Sequence, residues 1–434
     1  MVIFEENQQK GVSFEEAERL VERFFAENDY SSKKLLVIIP DSTRSGPIGD
    51  IFKIIYDCLD QKAKAVDCLV ALGTHQPMTE EQICTRLSIT LSERNSKFAS
   101  VKFFNHEWKK EQTFTSIGKI SADEIHQISK GLFCEEVDVA INKLIFDYDE
   151  FFILGPVFPH EVVGFSGGHK YIFPGIAEEK IINFFHWLGA VITNPCINGN
   201  KWTPTRHLVE KAASFIKMPR KLFAPVSSCR KTETGAVENK LAGIFIGDCI
   251  EAWEKAADLS EKVHIVYKDK PYGTILGIAP KMYDDIWTAG KVMFKLEPII
   301  ADGGMLIIYA PHITEISYTH GKVIDKIGYH SRDYFLKQMD KFAGIPRGVM
   351  AHSTHVKGIG TYIDGVEKPR VNVALATGIS RERCRKVNLG YMNPNQIDIA
   401  NYENKEDKGI LVVHNAGEML YRLSSGYIPT IPNQ

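Results

Sequence analysis

The chain has 434 residues, of which 44% are hydrophobic, 24% charged and 10% aromatic, and its formal net charge is −2. This composition excludes a largely disordered chain and gives no basic surface of the kind that binds nucleic acid. The length favours two domains over one.

Strands and helices are predicted to alternate along the first part of the chain. They are, in chain order, a helix that starts after Ser13, a strand at 35–40, a helix at 51–59, a strand at 66–72, a helix that starts after Thr79 and a strand at 151–154. Near-continuous apolar strands that alternate with helices are typical of a parallel sheet covered on both faces. The fold class is therefore α/β.

A second α/β unit is predicted to begin near residue 263. Its elements are strands within 263–280, a helix around 284–296, a strand at 305–309, a helix near 332–342, a strand at 371–376, a late strand at 409–413 and a short closing helix at 418–423. We therefore divide the chain into an N-terminal α/β domain at 1–262, which ends in a helical linker, and a C-terminal α/β domain at 263–408. The sequence does not decide to which domain residues 409–434 belong.

Neither the cysteines nor the first residues indicate export or a membrane. The eight cysteines contain no Cys-x-x-Cys pair, so a zinc ribbon or a redox pair is not expected. The N-terminal stretch MVIFEENQQKG is polar and acidic, unlike a signal peptide. No apolar run approaches the roughly 18 residues that a membrane helix needs. We expect reduced thiols, a cytoplasmic protein and no membrane partner.

Polar clusters follow the predicted strands at 41–44, 73–75 and 159–170. Ligands of parallel sheets bind where the carboxyl ends of the strands meet, so these clusters should lie at one edge of the sheet. Two imidazoles at such an edge, from His75 and His160, can serve as acid and base on opposite faces of a substrate.

Several residues near these clusters have a structural as well as a functional interpretation. Arg44 can bind a carboxylate or phosphate through two parallel hydrogen bonds, or it can form an ordinary salt bridge. Gly167 and Gly168 can form a plain tight turn. The stretch is not a phosphate-binding P-loop, because His169 stands where that motif needs glycine. His186, in the apolar segment IINFFHWLGA, can be a core histidine or a metal ligand.

Four stretches resemble the nickel-dependent lactate racemase family in order, spacing and residue types. They are DSTRSGP at 41–47, LGTHQPMT at 72–79, GPVFPHEVVGFSGGHKYIFPGI at 155–176 and HWLGA at 186–190. The resemblance is strong over residues 35–190 and weaker in the second half. It implies two α/β domains with mainly parallel sheets and an active site in the cleft between them, with cofactor binding and catalysis assigned to the N-terminal domain.

The resemblance also implies a cofactor, the nickel-pincer nucleotide pyridinium-3-thioamide-5-thiocarboxylic acid mononucleotide. By motif position, Lys170 would hold the cofactor covalently and His186 would bind its nickel ion. His75 and His160 match the acid–base histidines of the family. A mature protein would depend on the enzymes that synthesise the nucleotide.

Other residues of the same motifs are expected to contact the cofactor. Asp41, Thr43 and Arg44 match the motif that lies near the cofactor phosphate, and Arg44 would also contact the substrate. Gly167 and Gly168 would let the nucleotide pass close to the backbone. The reaction implied is inversion at C2 of a 2-hydroxy acid by reversible hydride transfer, through a 2-keto acid.

The C-terminal half departs from lactate-active members of the family. Their aromatic-Gln-x-x-Lys stretch corresponds here to Trp287, Thr288 and Lys291, so that threonine replaces glutamine. The expected aromatic wall has no clear counterpart, and the segment MAHSTHVKG supplies His352 and His355 instead. These changes favour a larger or more polar substrate than lactate, such as an aldonic acid. If the segment is a surface loop, this interpretation fails.

The sequence leaves three alternative functions open. The protein could be a lactate racemase proper, a hydrolase or lyase that holds a metal with His75, His160 and His186, or a binding protein that has kept the fold without catalysis. The particular substrate, the physiological direction of the reaction and the oligomeric state are not determined by the sequence.

Overall fold

The computed structural model of the protein describes residues 1–231 and 237–430. The chain divides into two compact units. Unit one consists of Met1–Phe158, Phe165–Ile182 and Arg206–Val263, and unit two consists of Pro159–Gly164, Asn183–Thr205 and the chain from His264 onward.

The strands are, in chain order, β1 Ile3–Glu6, β2 Lys34–Pro40, β3 Ala65–Ala71, β4 Phe103–Asn105, β5 Phe114–Ile120, β6 Val137–Asn142, β7 Glu150–Leu154, β8 Pro159–His160, β9 Gly164–Phe165, β10 Arg220–Lys231, β11 Val237–Gly247, β12 Ile265–Lys268, β13 Tyr272–Ile278, β14 Ile300–Ala310, β15 Gly360–Ile363, β16 Val366–Pro369, β17 Asn372–Thr377, β18 Gly390–Tyr391, β19 Ile410–Val413 and β20 Leu420–Leu423.

The α-helices are α1 Phe14–Glu27, α2 Ile48–Leu59, α3 Glu80–Arg86, α4 Leu91–Asn95, α5 Ala122–Ile128, α6 Glu179–Ile192, α7 Asn194–Ile197, α8 Pro204–Ala213, α9 Cys249–His264, α10 Ile286–Ala289, α11 Lys291–Leu296, α12 Gly321–Ile327, α13 Arg332–Leu336, α14 Arg347–Lys357 and α15 Arg381–Lys386.

Unit one is built on a sheet with the strand order β1-β11-β10-β7-β2-β3-β4 among the described residues. The strands from β10 to β4 run parallel, while β1 and β10 flank β11 in antiparallel fashion. On one face, alternate residues of β2 share a buried core with α1 and α2. The predicted α/β class with mainly parallel strands is confirmed.

Local sequence signals place two helix starts of unit one correctly, those of α1 and α3, whereas α2 begins three residues before the predicted position 51. Ser13 accepts from the backbone N–H of Glu16 while the Glu16 carboxylate accepts from Ser13, which forms a capping box. Thr79 and Gln82 form the same arrangement at the start of α3. Each box satisfies backbone donors that the first helical turn leaves unpaired, so these starts depend on neighbours within four residues.

Unit two is built on a parallel sheet of order β18-β17-β14-β13-β19 among the described residues. The predicted helix around 284–296 is divided into α10 and α11 at Gly290. The predicted helix at 418–423 is wrong, because β20 there pairs in parallel with β12, which lies about 155 residues earlier in the chain. Since β19 pairs with β13, the C-terminal residues up to 423 belong to this unit.

Unit two also contains two segments from before residue 263, Pro159–Gly164 and Asn183–Thr205. The sequence predicts instead that the chain passes from one domain to the other only once, near residue 263. Asn194 donates to the carbonyl of Phe294 at 3.0 Å. Arg332 donates to the carbonyl of Val191 at 2.8 Å. These partners are about 100 residues or more apart, so nothing local in the sequence announces the pairing.

The described residues include no helix that is both long and apolar enough to cross a membrane. The seven cysteines that can be described all carry free thiols.

We expect Phe25→Ala to lower the free energy of unfolding by about 3–5 kcal/mol, because it empties a buried site. The Phe25 ring packs against Tyr30, Phe152 and Phe223 with centroids 5.5–6.0 Å away. Phe14 on the same helix is 50% exposed, and Phe14→Ala should change the free energy by about 0.5 kcal/mol or less. Urea unfolding followed by circular dichroism measures both, and equal effects would contradict this packing.

Candidate functional site

The first group of polar side chains lies at one edge of the sheet in unit one. Strands β7, β2 and β3 are parallel neighbours, so the loops that follow them meet at their carboxyl ends. The Nδ1 atom of His75 lies 2.5 Å from Oδ2 of Asp41. The backbone N–H of Gly73 donates to the carbonyl of Gly175 at 2.8 Å, which joins the second loop to the third. The first two loops therefore meet at this edge, whereas residues 159–164 of the third cluster belong to unit two.

Asp41 holds His75 in one orientation and selects one tautomer of its neutral ring. The carboxylate is 6% exposed and accepts from the Thr43 hydroxyl at 2.6 Å. Burial by itself would raise the pKa of Asp41, but His75, Thr43 and Arg44 together hold it well below its usual range. An ionised Asp41 takes the Nδ1–H of His75, which leaves a lone pair on Nε2. His75 is thereby prepared to act as a base.

Arg86 is a residue of this edge that the sequence did not indicate. Burial lowers the pKa of Arg86, with Tyr171 and Asp41 opposing the shift. Its Nε and Nη2 atoms find no hydrogen-bond partner among the described residues. It lines a cavity of about 560 Å³ together with Ser42 and Gly46 of the first loop. An arginine in the last turn of a short helix looks like any surface residue in sequence, so no signal could have found it.

Lys170 stands out in the third loop by its exposure. From Phe151 to Ala177 every residue is buried except Glu161 and Lys170. Lys170 lies in a 3₁₀ turn, Gly168–Tyr171, between His169 and Tyr171, whose side chains are both 4% exposed. Lys170 is therefore half-buried, in contrast to its buried neighbours on both sides.

The two glycines before Lys170 have a packing reason of their own. A Cβ atom on Gly167 would lie 2.5 Å from Cγ2 of Val157, and one on Gly168 would lie 3.2 Å from Trp253. Both residues also adopt positive φ, at 86° and 58°. Glycine is therefore required here by the fold itself, whether or not a nucleotide lies against the loop.

The second group of polar side chains lies in unit two around α14. His352 stacks on Trp287 with ring centroids 4.0 Å apart, and His320 contacts the same indole at 4.4 Å. His355, one helical turn after His352, lies 5.5 Å from the ring of Phe294. The segment is not a surface loop, since it forms a buried helix.

His186 belongs to this second group. Its imidazole is close enough to His352 and His355 to disfavour their protonation. The structure therefore brings together four side chains that the sequence names separately, His186, Trp287, His352 and His355. His320 was missed, because one histidine in a loop carries no sequence signal.

His352 and His355 are neutral and only partly satisfied. Burial lowers the pKa of His355 to about 4, with Glu161 opposing and His186 adding to the effect, and burial lowers the pKa of His352 well below its usual range. The Nε2 atoms of both rings have no hydrogen-bond partner within residues 1–231 and 237–430. Buried polar atoms are usually paired, so these two nitrogens suit the hydroxyl groups of a ligand.

Unit two also contains three further residues predicted for the site, His160, Lys291 and Thr288. His160 is 4% exposed, and its Nδ1 accepts from the backbone N–H of Val162 at 3.1 Å, which places the ring proton on Nε2. The Lys291 ammonium lies 4.8 Å from the ring centroid of Tyr283. Thr288 donates its backbone N–H to Asp285, the N-cap of α10, at 2.9 Å.

Comparisons with known proteins assign the chain to a family. Residues 20–196 match the family described as the lactate racemase N-terminal domain. A Thermotoga maritima protein of known crystal structure is 31% identical, with a TM-score of 0.87 over 97% of this chain and 100% of that one. The chain belongs to the lactate racemase family.

Two curated lactate racemases of the family align over 64% of this chain. The protein from Thermoanaerobacterium thermosaccharolyticum is 27% identical and that from Lactiplantibacillus plantarum is 28% identical. The chain spans 60% and 59% of their lengths. The lactate racemase apoprotein structure from the first organism has a TM-score of 0.66 at 19% identity, over 93% of each chain, and supports the fold.

Removing the imidazole of His352 should not destabilise the protein. We expect His352→Leu to leave the free energy of unfolding unchanged within about 1 kcal/mol, because a buried nitrogen without a partner contributes no hydrogen bond. His106→Leu is the matched control, since both ring nitrogens of that buried histidine lie near partners, the Ala177 carbonyl and the Asn142 amide. It should cost about 1–3 kcal/mol. A larger loss for His352→Leu in urea unfolding would show that the residue is structural.

Proposed function

We propose that the protein is an isomerase that inverts C2 of a 2-hydroxy acid, with a nickel-pincer nucleotide attached to Lys170. The observation that carries the proposal is the exposure of Lys170 within the buried stretch 151–177, in a chain of the lactate racemase family. A lysine that must react with another molecule needs to project from a fixed backbone.

The residues present fit such a cofactor. Lys170 offers a half-buried amine, and His186 offers an imidazole, a ligand that suits nickel. When bound, the nucleotide would supply the electron-poor centre that accepts and returns a hydride, chemistry that no side chain provides. Maturation would require the nucleotide-synthesis enzymes, and we expect the protein in the cytoplasm with them.

The protein's own residues would handle the protons and the carboxylate. His75, held by Asp41 with its Nε2 lone pair available, takes the hydroxyl proton of the substrate. His160, with its ring proton on Nε2, faces a substrate oxygen first as a hydrogen-bond donor. Arg44 and Lys291 supply the positive charge that a carboxylate needs. Removal of the hydroxyl proton together with a hydride from C2 would leave a planar 2-keto acid, and return of the hydride to the opposite face, with a proton restored to the oxygen, would invert C2.

The substrate we propose is a polyhydroxylated acid, such as an aldonic acid. His352 and His355 are neutral at pH 7, so they offer no charge to a second carboxylate. Each neutral ring has one donor and one acceptor, which matches a hydroxyl group. Trp287, stacked on His352, adds a flat apolar surface of the kind on which carbon chains pack. Lactate has no hydroxyl besides that on C2 and would leave these nitrogens unpaired.

Direct use of a metal by three histidines, as in a hydrolase or lyase, gains no support from the structure. No group of three or more His, Cys, Asp or Glu side chains in the described parts of the chain is arranged to hold a metal ion. A non-catalytic binding protein would have no use for the charged Asp41 that fixes the tautomer of His75.

We expect Lys170 to become modified when the protein is co-expressed with the nucleotide-synthesis enzymes and nickel. The mass of the peptide that contains Lys170 should increase by that of the tethered nucleotide, and Lys170→Arg should show no increase. The mature protein should then epimerise gluconate at C2 without taking up solvent deuterium at that carbon. An unmodified Lys170, with maturation working on a known lactate racemase, would refute the proposal.

Replacing His352 should shift the substrate preference. We expect His352→Leu to lower kcat/KM for gluconate about tenfold or more, since a hydrogen bond to a substrate hydroxyl is lost. Any residual rate with lactate should change much less. His414→Leu is the control, because His414 is about half exposed and pairs with Glu403 in the same unit. Equal losses for both substrates would remove His352 from the proposed hydroxyl site.

A further inference from the structure

A buried hydrogen-bonded network lies behind the Lys170 loop and has no part in the proposed chemistry. It joins His169, Glu210, Arg206 and Arg220, all in unit one. The side chain of Arg206 is 0% exposed, that of His169 is 4% exposed and that of Glu210 is 12% exposed. Charged groups are rarely buried to this extent unless they are paired, so their arrangement needs an explanation.

The directions of the hydrogen bonds indicate which tautomer of His169 is present. Arg220 donates from Nε to Nε2 of His169 at 2.8 Å, so that Nε2 carries the lone pair. The ring proton is therefore on Nδ1, which lies 2.5 Å from Oε2 of Glu210. A neutral His169 thus connects an arginine on one side with a carboxylate on the other.

Glu210 and Arg206 extend the network to the backbone of the loop. Arg206 donates to Oε1 of Glu210 at 3.2 Å and to the carbonyl of Phe165 at 2.5 Å. It also lies within 3.4 Å of the Gly167 carbonyl. Its guanidinium stacks over Trp253, 3.9 Å from the ring centroid, and Trp253 in turn donates to the Ser166 carbonyl at 2.9 Å. The carbonyl groups of three consecutive loop residues, 165–167, therefore accept hydrogen bonds from Arg206 or Trp253.

The residue on the other side of Lys170 is held as well. The Tyr171 hydroxyl donates to the Pro156 carbonyl at 3.1 Å. Gly155 leaves room for this ring, since a Cβ there would lie 2.2 Å from it. The side chains at 169 and 171 are thus both held in the interior, whereas Lys170 between them is half-buried.

We propose that His169, Glu210 and Arg206 are positioning residues that hold Lys170 in the orientation required for attachment of the cofactor. This inference rests on the proposed function. Lys170 has four rotatable side-chain bonds, so a fixed backbone and fixed neighbours reduce the ordering that attachment must still impose.

Stability alone does not account for the network. Buried ion pairs lose much of their attraction to desolvation, and well-packed apolar residues of similar size are often as stable or more so. A network that joins two arginines, a histidine and a carboxylate is better explained by orientation, because hydrogen bonds have direction and apolar contacts do not.

The test compares two substitutions of one residue. His169→Gln keeps one donor for Glu210 and one acceptor for Arg220, whereas His169→Leu removes both. We expect Lys170 in His169→Leu to be modified about tenfold less, or lower still, during a fixed period of co-expression, and His169→Gln to stay near wild type. His330→Leu is the matched control, since it removes a similar histidine–glutamate pair, at 2.7 Å from Glu367, in unit two.

Hydrogen exchange of the protein without cofactor provides a second measurement. Backbone amides within 165–175 should be strongly protected in the wild type, and in His169→Leu they should exchange at least about tenfold faster while other regions stay unchanged. If wild-type Lys170 is modified and His169→Leu is modified equally, the positioning role is refuted and the proposed function stands. If wild-type Lys170 is not modified, the proposed function is refuted, and the hydrogen-exchange result alone then tests whether the network holds the loop. Rapid exchange of 165–175 in the wild type would overturn the inference even if no variant folds.

Discussion

The parallel pairing of β7, β2 and β3 is the constraint on which the site in unit one depends. Parallel neighbours in register bring their carboxyl ends to one edge, and the chain leaves each strand there in a polar loop. That register puts Asp41 within hydrogen-bonding distance of His75, although 34 residues separate them. Without it, the carboxylate would not fix the tautomer of the imidazole, and His75 would have no prepared lone pair.

Rigidity around Lys170 follows from close packing on both sides of the loop. The glycines at 155, 167 and 168 admit neighbouring rings and side chains that any Cβ would displace. Hydrogen bonds of His169, Glu210 and Arg206 then connect the loop to α8. Trp253 of α9 donates a further hydrogen bond to the loop. The glycines allow the loop and its neighbours to approach closely, and this brings the hydrogen-bonding groups within reach of one another.

Unit two contributes a different chemical surface. Burial keeps His352 and His355 neutral, and each of them has a ring nitrogen that no described residue pairs. A fold optimised only for stability would fill such positions with apolar side chains. In the function that we propose, these nitrogens recognise the substrate, and their neutrality favours hydroxyl groups over a second carboxylate.

The sequence by itself determined the α/β class, the capped helix starts and the motif residues, because these depend on periodicity and on neighbours a few positions apart. Only the tertiary structure decided which unit residues 159–164 and 183–205 join, that 418–423 holds a strand, and that α14 is buried against Trp287. It also found Arg86, His320 and the network behind Lys170. These features rest on contacts between residues far apart in the chain, and such contacts leave no mark on local composition or spacing.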